Sequence, residues 1–160
     1  SYHRTMELRE ALEKDTVANV GYQDLVAVQE EQTVRAAVER MREKKTGCLL
    51  ILKGERLTGI FTERDLITRV LGTEGAFEAA IATFMTAAPT VALANEPIHL
   101  VLARMHTGGM RHLPVLDSEG RPVGTISVRS VVHFLADHHP TTVYNLPPDH
   151  NLIPSSREGG

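Results

Sequence analysis

The sequence contains no tryptophan, a single cysteine and few aromatic residues, which make up 4% of its 160 residues. Nucleic-acid-binding surfaces are usually basic and rich in stacking rings, whereas this chain has a formal net charge of −3. No apolar run approaches the roughly 20 residues that a membrane-spanning helix requires, and the charged amino terminus lacks a signal-peptide core. We therefore expect a cytoplasmic globular protein that binds neither nucleic acid nor a membrane.

The single cysteine, Cys48, lies in the apolar run Cys48-Leu49-Leu50-Ile51-Leu52. One cysteine cannot form a disulfide within a chain, and apolar neighbours are typical of a buried, reduced thiol that packs as a small hydrophobic residue. We therefore predict a structural role for Cys48 and not a nucleophilic one.

Eight histidines raise the question of a metal or catalytic site. His133, His138 and His139 lie near the predicted end of the last helix, but their spacing does not bring three ligands to one helix face. A favourable interaction with the helix carboxyl end explains them better. Neither a P-loop nor a recognisable set of nucleophile, base and acid occurs, so we predict no metal site and no enzymatic activity.

The two halves of the chain share one pattern of apolar residues. A helical stripe at spacing i, i+3, i+4, i+7 occurs twice, with a constant offset of 64 residues. The stripes are Val34, Ala37, Val38 and Met41 in the first half and Ile98, Val101, Leu102 and Met105 in the second. Apolar strands follow at 49–52 and 113–116, and closing helices are predicted at about 63–71 and 128–138. Each half thus reads as strand, helix, strand, tight turn, strand, helix.

This repetition sets the predicted domain boundaries. Residues 1–16 form a helical lead-in, with a short helix near 4–14 and a further turn near 15–20, and residues 17–73 and 81–138 form two repeats. The Pro-rich tail at 139–160 cannot be one regular element, and its apolar clusters could either lie along another surface or be loose. Since a repeat of about 60 residues has only a marginal core, we expect an α/β (α+β) fold in which the repeats pack face to face as a pseudo-symmetric pair.

A strand-to-helix junction occurs in both repeats, at 59–65 and at 124–130. The first junction has Thr62 followed by Asp65, and the second has Ser127 followed by Ser130. A hydroxyl followed three residues later by an acid forms a capping box, in which each side chain accepts a hydrogen bond from a backbone N–H of the first turn. The same groups could contact a ligand, and the sequence leaves both interpretations open.

Two further segments add to this pattern, namely Met110-Arg111-His112-Leu113-Pro114-Val115-Leu116-Asp117 and the lead-in Phe84-Met85-Thr86. Together with the two junctions they resemble the paired cystathionine-beta-synthase (CBS) domain, or Bateman module, over about residues 15–138. The resemblance implies a stand-alone regulatory module that senses an adenosine ligand in clefts between its repeats, forms a homodimer and acts on a regulated protein that the sequence does not identify. AMP, ADP or ATP is the expected ligand. The alternatives are a sensor of S-adenosylmethionine or NAD, and a ligand-free dimerisation module.

The resemblance also implies which residues form the site. Asp65 matches the family's ribose-binding acid, and a carboxylate suits a vicinal diol because its two oxygens accept both hydroxyl protons. Thr62 would donate to a phosphate at the helix start, and Arg111 would bind the phosphate from the other repeat. Alternatively, Arg111 is a solvated surface charge and His112 an ordinary half-buried histidine. The predicted wall opposite Asp65 comprises Pro89, Thr90, Val91, Met110, Arg111 and His112.

The second cleft would join Ser127 and Ser130 to residues 46–49 and lacks both the acid and the arginine. Loss of a hydrogen-bond partner that carries charge typically costs about 1.5–3 kcal/mol. We therefore expect this cleft to bind weakly or to stay empty, although Lys44 and Lys45 lie near enough to attract a phosphate.

Overall fold

The computed structural model describes residues 9–10 and 12–138, so the tail at 139–160, His139 and the first eight residues of the predicted lead-in lie outside the described residues. Residues 9–10 and 12–14 are helical. Helix α1 (Val17–Val20) follows, and Thr16 and Asn19 cap it through reciprocal side-chain-to-backbone hydrogen bonds. Across the described ranges, no helix combines the length and apolar character needed to cross a membrane.

Both repeats have the predicted order of strand, helix, strand, strand, helix. In each repeat a short strand comes before this unit, namely β1 (Gln23–Asp24) in the first repeat and β5 (Thr86–Ala87) in the second. The first repeat comprises β2 (Ala27–Gln29), α2 (Val34–Lys44), β3 (Cys48–Lys53), β4 (Arg56–Thr62) and α3 (Glu63–Asp65). The second comprises β6 (Ala92–Leu93), α4 (Ile98–Gly108), β7 (His112–Leu116), β8 (Pro122–Ser127) and α5 (Val128–His138).

The closing helix of the first repeat differs from the regular helix predicted at about 63–71. After α3 the chain continues as a π-helical turn over Leu66–Val70, and the backbone N–H of Leu71 donates to the carbonyl of Leu66 at 2.9 Å. Single π-turns within helices are rare and occur frequently at functional sites. This turn directly follows Asp65.

The two sheets exchange edge strands. One sheet has the order β2-β3-β4-β5 and the other β1-β8-β7-β6, so each sheet includes the first short strand of the opposite repeat. The flanking segments are exchanged as well, because Val17 is buried in the core of the second repeat and Ile81 in the core of the first. The repeats are therefore interlocked and do not form two independent units.

The glycine that both junctions share is explained by this exchange. A Cβ at Gly59 would lie 2.3 Å from Met85 Sδ, and a Cβ at Gly124 would lie 2.1 Å from the carbonyl oxygen of Gln23. Strand β1 pairs with β8 beside Gly124, where a Cβ would meet backbone, so only glycine leaves room there. At Gly59, beside β5, a Cβ would have to displace the flexible Met85 side chain.

The sheet of the first repeat has two different faces. Leu49, Ile51 and Phe61 point into the repeat's own core, whereas Cys48, Leu50 and Ile60 form a separate cluster, as the period of two along a strand requires. Ile60 lines a cavity together with side chains of the second repeat, which places this second face between the two repeats.

Cys48 is a buried thiol, as predicted, and is only 3% exposed. Burial raises its pKa to about 12, and a hydrogen bond with Thr125 of the opposite repeat opposes this shift only partly. A thiol with so high a pKa is protonated at neutral pH, which makes it a poor nucleophile.

Candidate functional site

A cavity of about 270 Å³ lies between the two repeats. Its lining comes from the end of β4, the start of α3, the segment 86–90 and residues 109–114. The lining residues are Ile60, Thr62, Arg64, Asp65, Thr86, Ala88, Pro89, Thr90, Gly109, Met110, Arg111, His112 and Pro114.

Asp65 and Thr62 form the capping box that the sequence predicts. The backbone N–H of Thr62 donates to Asp65 Oδ2 at 2.9 Å, and the N–H of Asp65 donates to Thr62 Oγ1 at 3.4 Å. Both residues also line the cavity, so the cap does not exclude a binding role. The Thr62 hydroxyl donates to Asp65 Oδ2 at 3.2 Å, and this contact directs its proton to the carboxylate instead of to an incoming phosphate.

The Asp65 carboxylate is held from two sides. Oδ2 accepts the hydrogen bonds from Thr62, and Oδ1 lies 3.6 Å from Arg69 Nε. The Asp65 side chain is only 12% exposed. A carboxylate oxygen has two lone-pair directions, and Oδ2 uses both for Thr62. Oδ1 therefore keeps acceptor capacity toward the cavity, and Oδ2 regains it when the Thr62 hydroxyl turns to another acceptor.

Arg111 and His112 lie on the opposite wall and are half-buried. The carbonyl of Arg111 accepts a hydrogen bond from the N–H of Val128 at 3.1 Å, which fixes this backbone against the start of α5. His112 pairs with Ser127 across the β7–β8 hairpin. Arg111 is thus part of a cavity wall and is not a fully exposed surface charge.

Seven of the eight predicted site residues line the cavity, and Val91 does not. The carbonyl of Val91 accepts a hydrogen bond from Arg104 Nη1 at 2.8 Å, and the chain then enters β6, where Ala92 is buried in the core of the second repeat. Because Val91 directly precedes β6, it lies toward that core and outside the cavity lining.

The lining also contains residues that were not predicted from the sequence, among them the polar Arg64 and Thr86, and Ala88. Arg64 lies inside the junction motif, one residue before Asp65, and this position could have indicated it. No ion pair involves Arg64 within residues 9–10 and 12–138. Ala88 has a φ of 46°, an uncommon conformation for a residue with a side chain, and the exchanged strand β5 ends just before it.

The equivalent groups of the second repeat are arranged differently. The N–H of Ser127 donates to Ser130 Oγ at 3.2 Å, and the Ser130 hydroxyl donates to the Ser127 carbonyl at 2.7 Å, so this pair forms a neutral cap. On the first repeat's side, the position equivalent to Arg111 is Gly47, where an added Cβ would lie 3.1 Å from the Glu63 carboxyl carbon. A carboxylate thus lies near the position where the first cleft has a guanidinium.

In the described part of the chain, no group of three or more His, Cys, Asp or Glu side chains is placed to hold an ion. His138 Nδ1 lies 3.0 Å from the carbonyl of Phe134 in the last turn of α5, which agrees with the predicted interaction at the helix carboxyl end. The cavity instead combines one carboxylate, two guanidinium groups and apolar surface. This combination suits a ligand with hydroxyl donors, an anionic group and an apolar face.

The chain is similar to several known proteins. It is 33% identical over 110 residues to the CBS domain-containing protein CBSCBSPB1 of Arabidopsis thaliana, covering 68% of this chain and 20% of that protein. Among solved structures, the CBS-domain protein ATU1752 of Agrobacterium tumefaciens matches with a TM-score of 0.67 and 27% identity, covering 74% of this chain and 92% of that one. PAE2072 of Pyrobaculum aerophilum, solved in complex with AMP, matches with a TM-score of 0.68 and 19% identity, covering 77% and 99%.

The chain spans about a fifth of the length of the curated Arabidopsis proteins that it matches. The family model for the CBS domain matches it twice, at residues 17–72 and 81–137, which together make up well over half of the sequence. Each match contains one strand-to-helix junction and one complete strand-helix-strand-strand-helix unit. The chain therefore belongs to the CBS-domain family and carries a pair of these domains.

Proposed function

We propose that the cavity between the repeats binds an adenine nucleotide, AMP, ADP or ATP, and that the chain acts as a regulatory sensor without catalytic activity. One observation carries this proposal: the same cavity is lined by the Asp65 carboxylate of the first repeat and the Arg111 guanidinium of the second. A ligand that engages both would bridge the repeats, and this is how occupancy would be sensed.

The charges suggest how a nucleotide would lie in the cavity. The ribose diol would donate to Asp65, whose oxygens are oriented by Thr62 and Arg69. The phosphate would lie between Arg111 and Arg64, since both guanidinium groups line the same space. The purine would pack on the apolar side chains Ile60, Pro89, Met110 and Pro114.

The size and charge of the cavity favour a nucleotide over the other adenosine compounds. A volume of about 270 Å³ lies just below the ~300–1,000 Å³ typical of ligand pockets, which suits a mononucleotide better than NAD. Two guanidinium groups would repel the sulfonium of S-adenosylmethionine. The AMP complex of the similar protein PAE2072 gives further support.

The test is calorimetric titration of the full chain with AMP, ADP, ATP, adenosine, S-adenosylmethionine and NAD, followed by the same titrations of Arg111→Ala. We expect Arg111→Ala to lose about 2 kcal/mol for AMP, as for a charged hydrogen bond, and to leave adenosine unaffected. Arg129→Ala is the control for loss of one arginine charge, because Arg129 is exposed and lies outside the cavity lining. Equal losses for AMP and adenosine would mean that Arg111 supports the fold and contacts no phosphate.

The alternative function is a ligand-free dimerisation module in which Thr62 and Asp65 only cap a helix. The complete capping box is the observation that favours it. A wild-type chain that binds none of these six compounds would establish this alternative.

A second part of the proposal is a homodimer through the closing helices. Ile67 and Leu71 are 65% and 54% exposed, and they lie within and directly after the π-helical turn that closes the first repeat. Two large apolar side chains exposed together indicate a contact surface, and a second copy of the chain would cover them with the same surface.

A further inference from the structure

Arg69 connects the Asp65 carboxylate to the segment that joins the two repeats. Its Nε lies 3.6 Å from Asp65 Oδ1, and its Nη1 donates to the carbonyls of Met85 at 3.2 Å and Phe84 at 3.4 Å. One planar guanidinium therefore contacts groups that lie on two different elements. Its five N–H donors in a rigid fork suit this geometry, and the single ammonium of a lysine would not.

The segment that Arg69 holds leads directly into one wall of the cavity. Met85 is followed by β5, in which Thr86 pairs with Ile60 and Ala87 with Gly59. Residues 88–90 then continue along the cavity. On the sheet side, this segment is fixed by its close approach to Gly59, and on the helix side by Arg69.

We propose that Arg69 is a positioning residue that determines the selectivity of the site for a vicinal diol, a role that rests on the proposed nucleotide function. Thr62 holds one oxygen of Asp65 and Arg69 faces the other, so the carboxylate plane is fixed before the ligand arrives. Oδ1 accepts no hydrogen bond from Thr62 and presents its lone pairs to the ligand, whereas Oδ2 gains a free lone pair once the Thr62 hydroxyl turns away. Two adjacent hydroxyl groups can then donate to the two oxygens of one fixed carboxylate. A group held in its binding orientation loses less conformational entropy when the ligand binds.

The same contact links the site to the start of the second repeat. Arg69 connects Asp65 to the carbonyls of Phe84 and Met85, so a ligand bound to Asp65 is coupled to the position of these residues. The amides of residues 85 and 88 donate to the carbonyls of Ile81 and Thr58, so they report on the order of this segment. A bound ligand would thereby hold the segment 84–88 more firmly against the first repeat.

The experiment compares AMP with 2′,3′-dideoxyadenosine monophosphate, which keeps the base and phosphate but lacks the diol. Arg69→Gln should weaken AMP binding roughly fivefold, the upper range for a partly exposed ion pair, and should leave the dideoxy compound unchanged. Arg35→Gln is the matched control, because Arg35 is also a half-exposed helix arginine with a carboxylate partner, Glu78 at 2.6 Å, but lies outside the cavity lining. Hydrogen exchange should be faster at residues 85 and 88 in Arg69→Gln alone.

Each outcome decides between the possible roles. If Arg69→Gln weakens the binding of AMP and of the dideoxy compound equally, the proposal is overturned and Arg69 only stabilises the fold. If AMP binds more tightly, the proposal is overturned as well, because Arg69 then competes with the ligand. Should Arg69→Gln fail to fold, Arg69→Lys retains the charge without the fork and must still lose selectivity for the diol. A wild-type chain that binds neither nucleotide would overturn the nucleotide function itself, whereas the exchange rates would still test the link between Arg69 and the segment 84–88.

Discussion

Replacing Asp65 by asparagine keeps the shape of the side chain and removes its charge. The asparagine oxygen can still accept from the Thr62 N–H, which donates to Asp65 Oδ2 at 2.9 Å. The amide nitrogen would then take the place of Oδ1, which lies 3.6 Å from Arg69. The cap is retained, while one of the two acceptors for a ribose diol becomes a donor that faces both the diol and Arg69.

The expected losses differ for binding and for folding. Loss of one hydrogen bond to a charged group costs about 1.5–3 kcal/mol, so the dissociation constant for AMP should rise by roughly ten- to a hundredfold. Removal of a helix-cap side chain lowers the free energy of unfolding by about 0.5–2 kcal/mol. The loss in Asp65→Asn should lie at or below the low end of this range, because the hydrogen bond from the Thr62 N–H persists. A binding loss that far exceeds the folding loss is the signature of a ligand-contacting residue.

Calorimetry with AMP and thermal melting with and without AMP measure the two losses separately. At 100 times its dissociation constant, AMP should stabilise the wild-type chain by about 2.7 kcal/mol, and Asp65→Asn should lose most of this at the same concentration. Ser130→Ala is the control at the equivalent position of the second repeat and should change AMP binding little. Wild-type affinity in Asp65→Asn, or two equal binding sites per chain, would refute the assignment of the ribose to Asp65.

Three further predictions concern stability, reactivity and assembly. Cys48, with its pKa raised to about 12 by burial, should react with thiol reagents only after unfolding; rapid labelling of the native chain would contradict its placement. Hydrogen bonds from Arg104 lower the pKa of Glu96 below its ordinary value of 4.5, so this pair stabilises the fold above that pH and the stabilisation is lost as pH falls through the lowered value. Denaturant unfolding of Glu96→Gln should thus show a loss of about 1 kcal/mol at pH 7 that disappears in acid, and a pH-independent loss would contradict this. Ile67→Lys should shift the light-scattering mass from dimer to monomer, whereas Leu100→Lys, at an equally apolar exposed position on α4, should not; a monomeric wild type at all micromolar concentrations would refute the dimer.

The periodic elements could be predicted from the residues because their signals are local. Helix α5 spans Val128–His138, as the spacing of its apolar residues predicts, and the same repeated spacing indicates both α2 and α4. The capping box of Thr62 and Asp65 depends on residues three apart, and it forms as predicted. The fold class and the family also follow from these local patterns, since they recur in order at a nearly constant offset.

Tertiary structure alone determined the arrangement that builds the cavity. Strand β1 has two residues and pairs with β8, about a hundred residues away, and such short strands carry no periodic signal. The exchange of edge strands brings Thr86 and Ala88 to the cavity, and the pairing of β6 with β7 draws Val91 away from it. The π-helical turn and the contact of Arg69 with Met85 are likewise absent from any local pattern, whereas Asp65 and Arg69 are a local pair four residues apart. Residue spacing specifies which face of an element a side chain occupies, but the partner of that face is decided only when distant segments pack together.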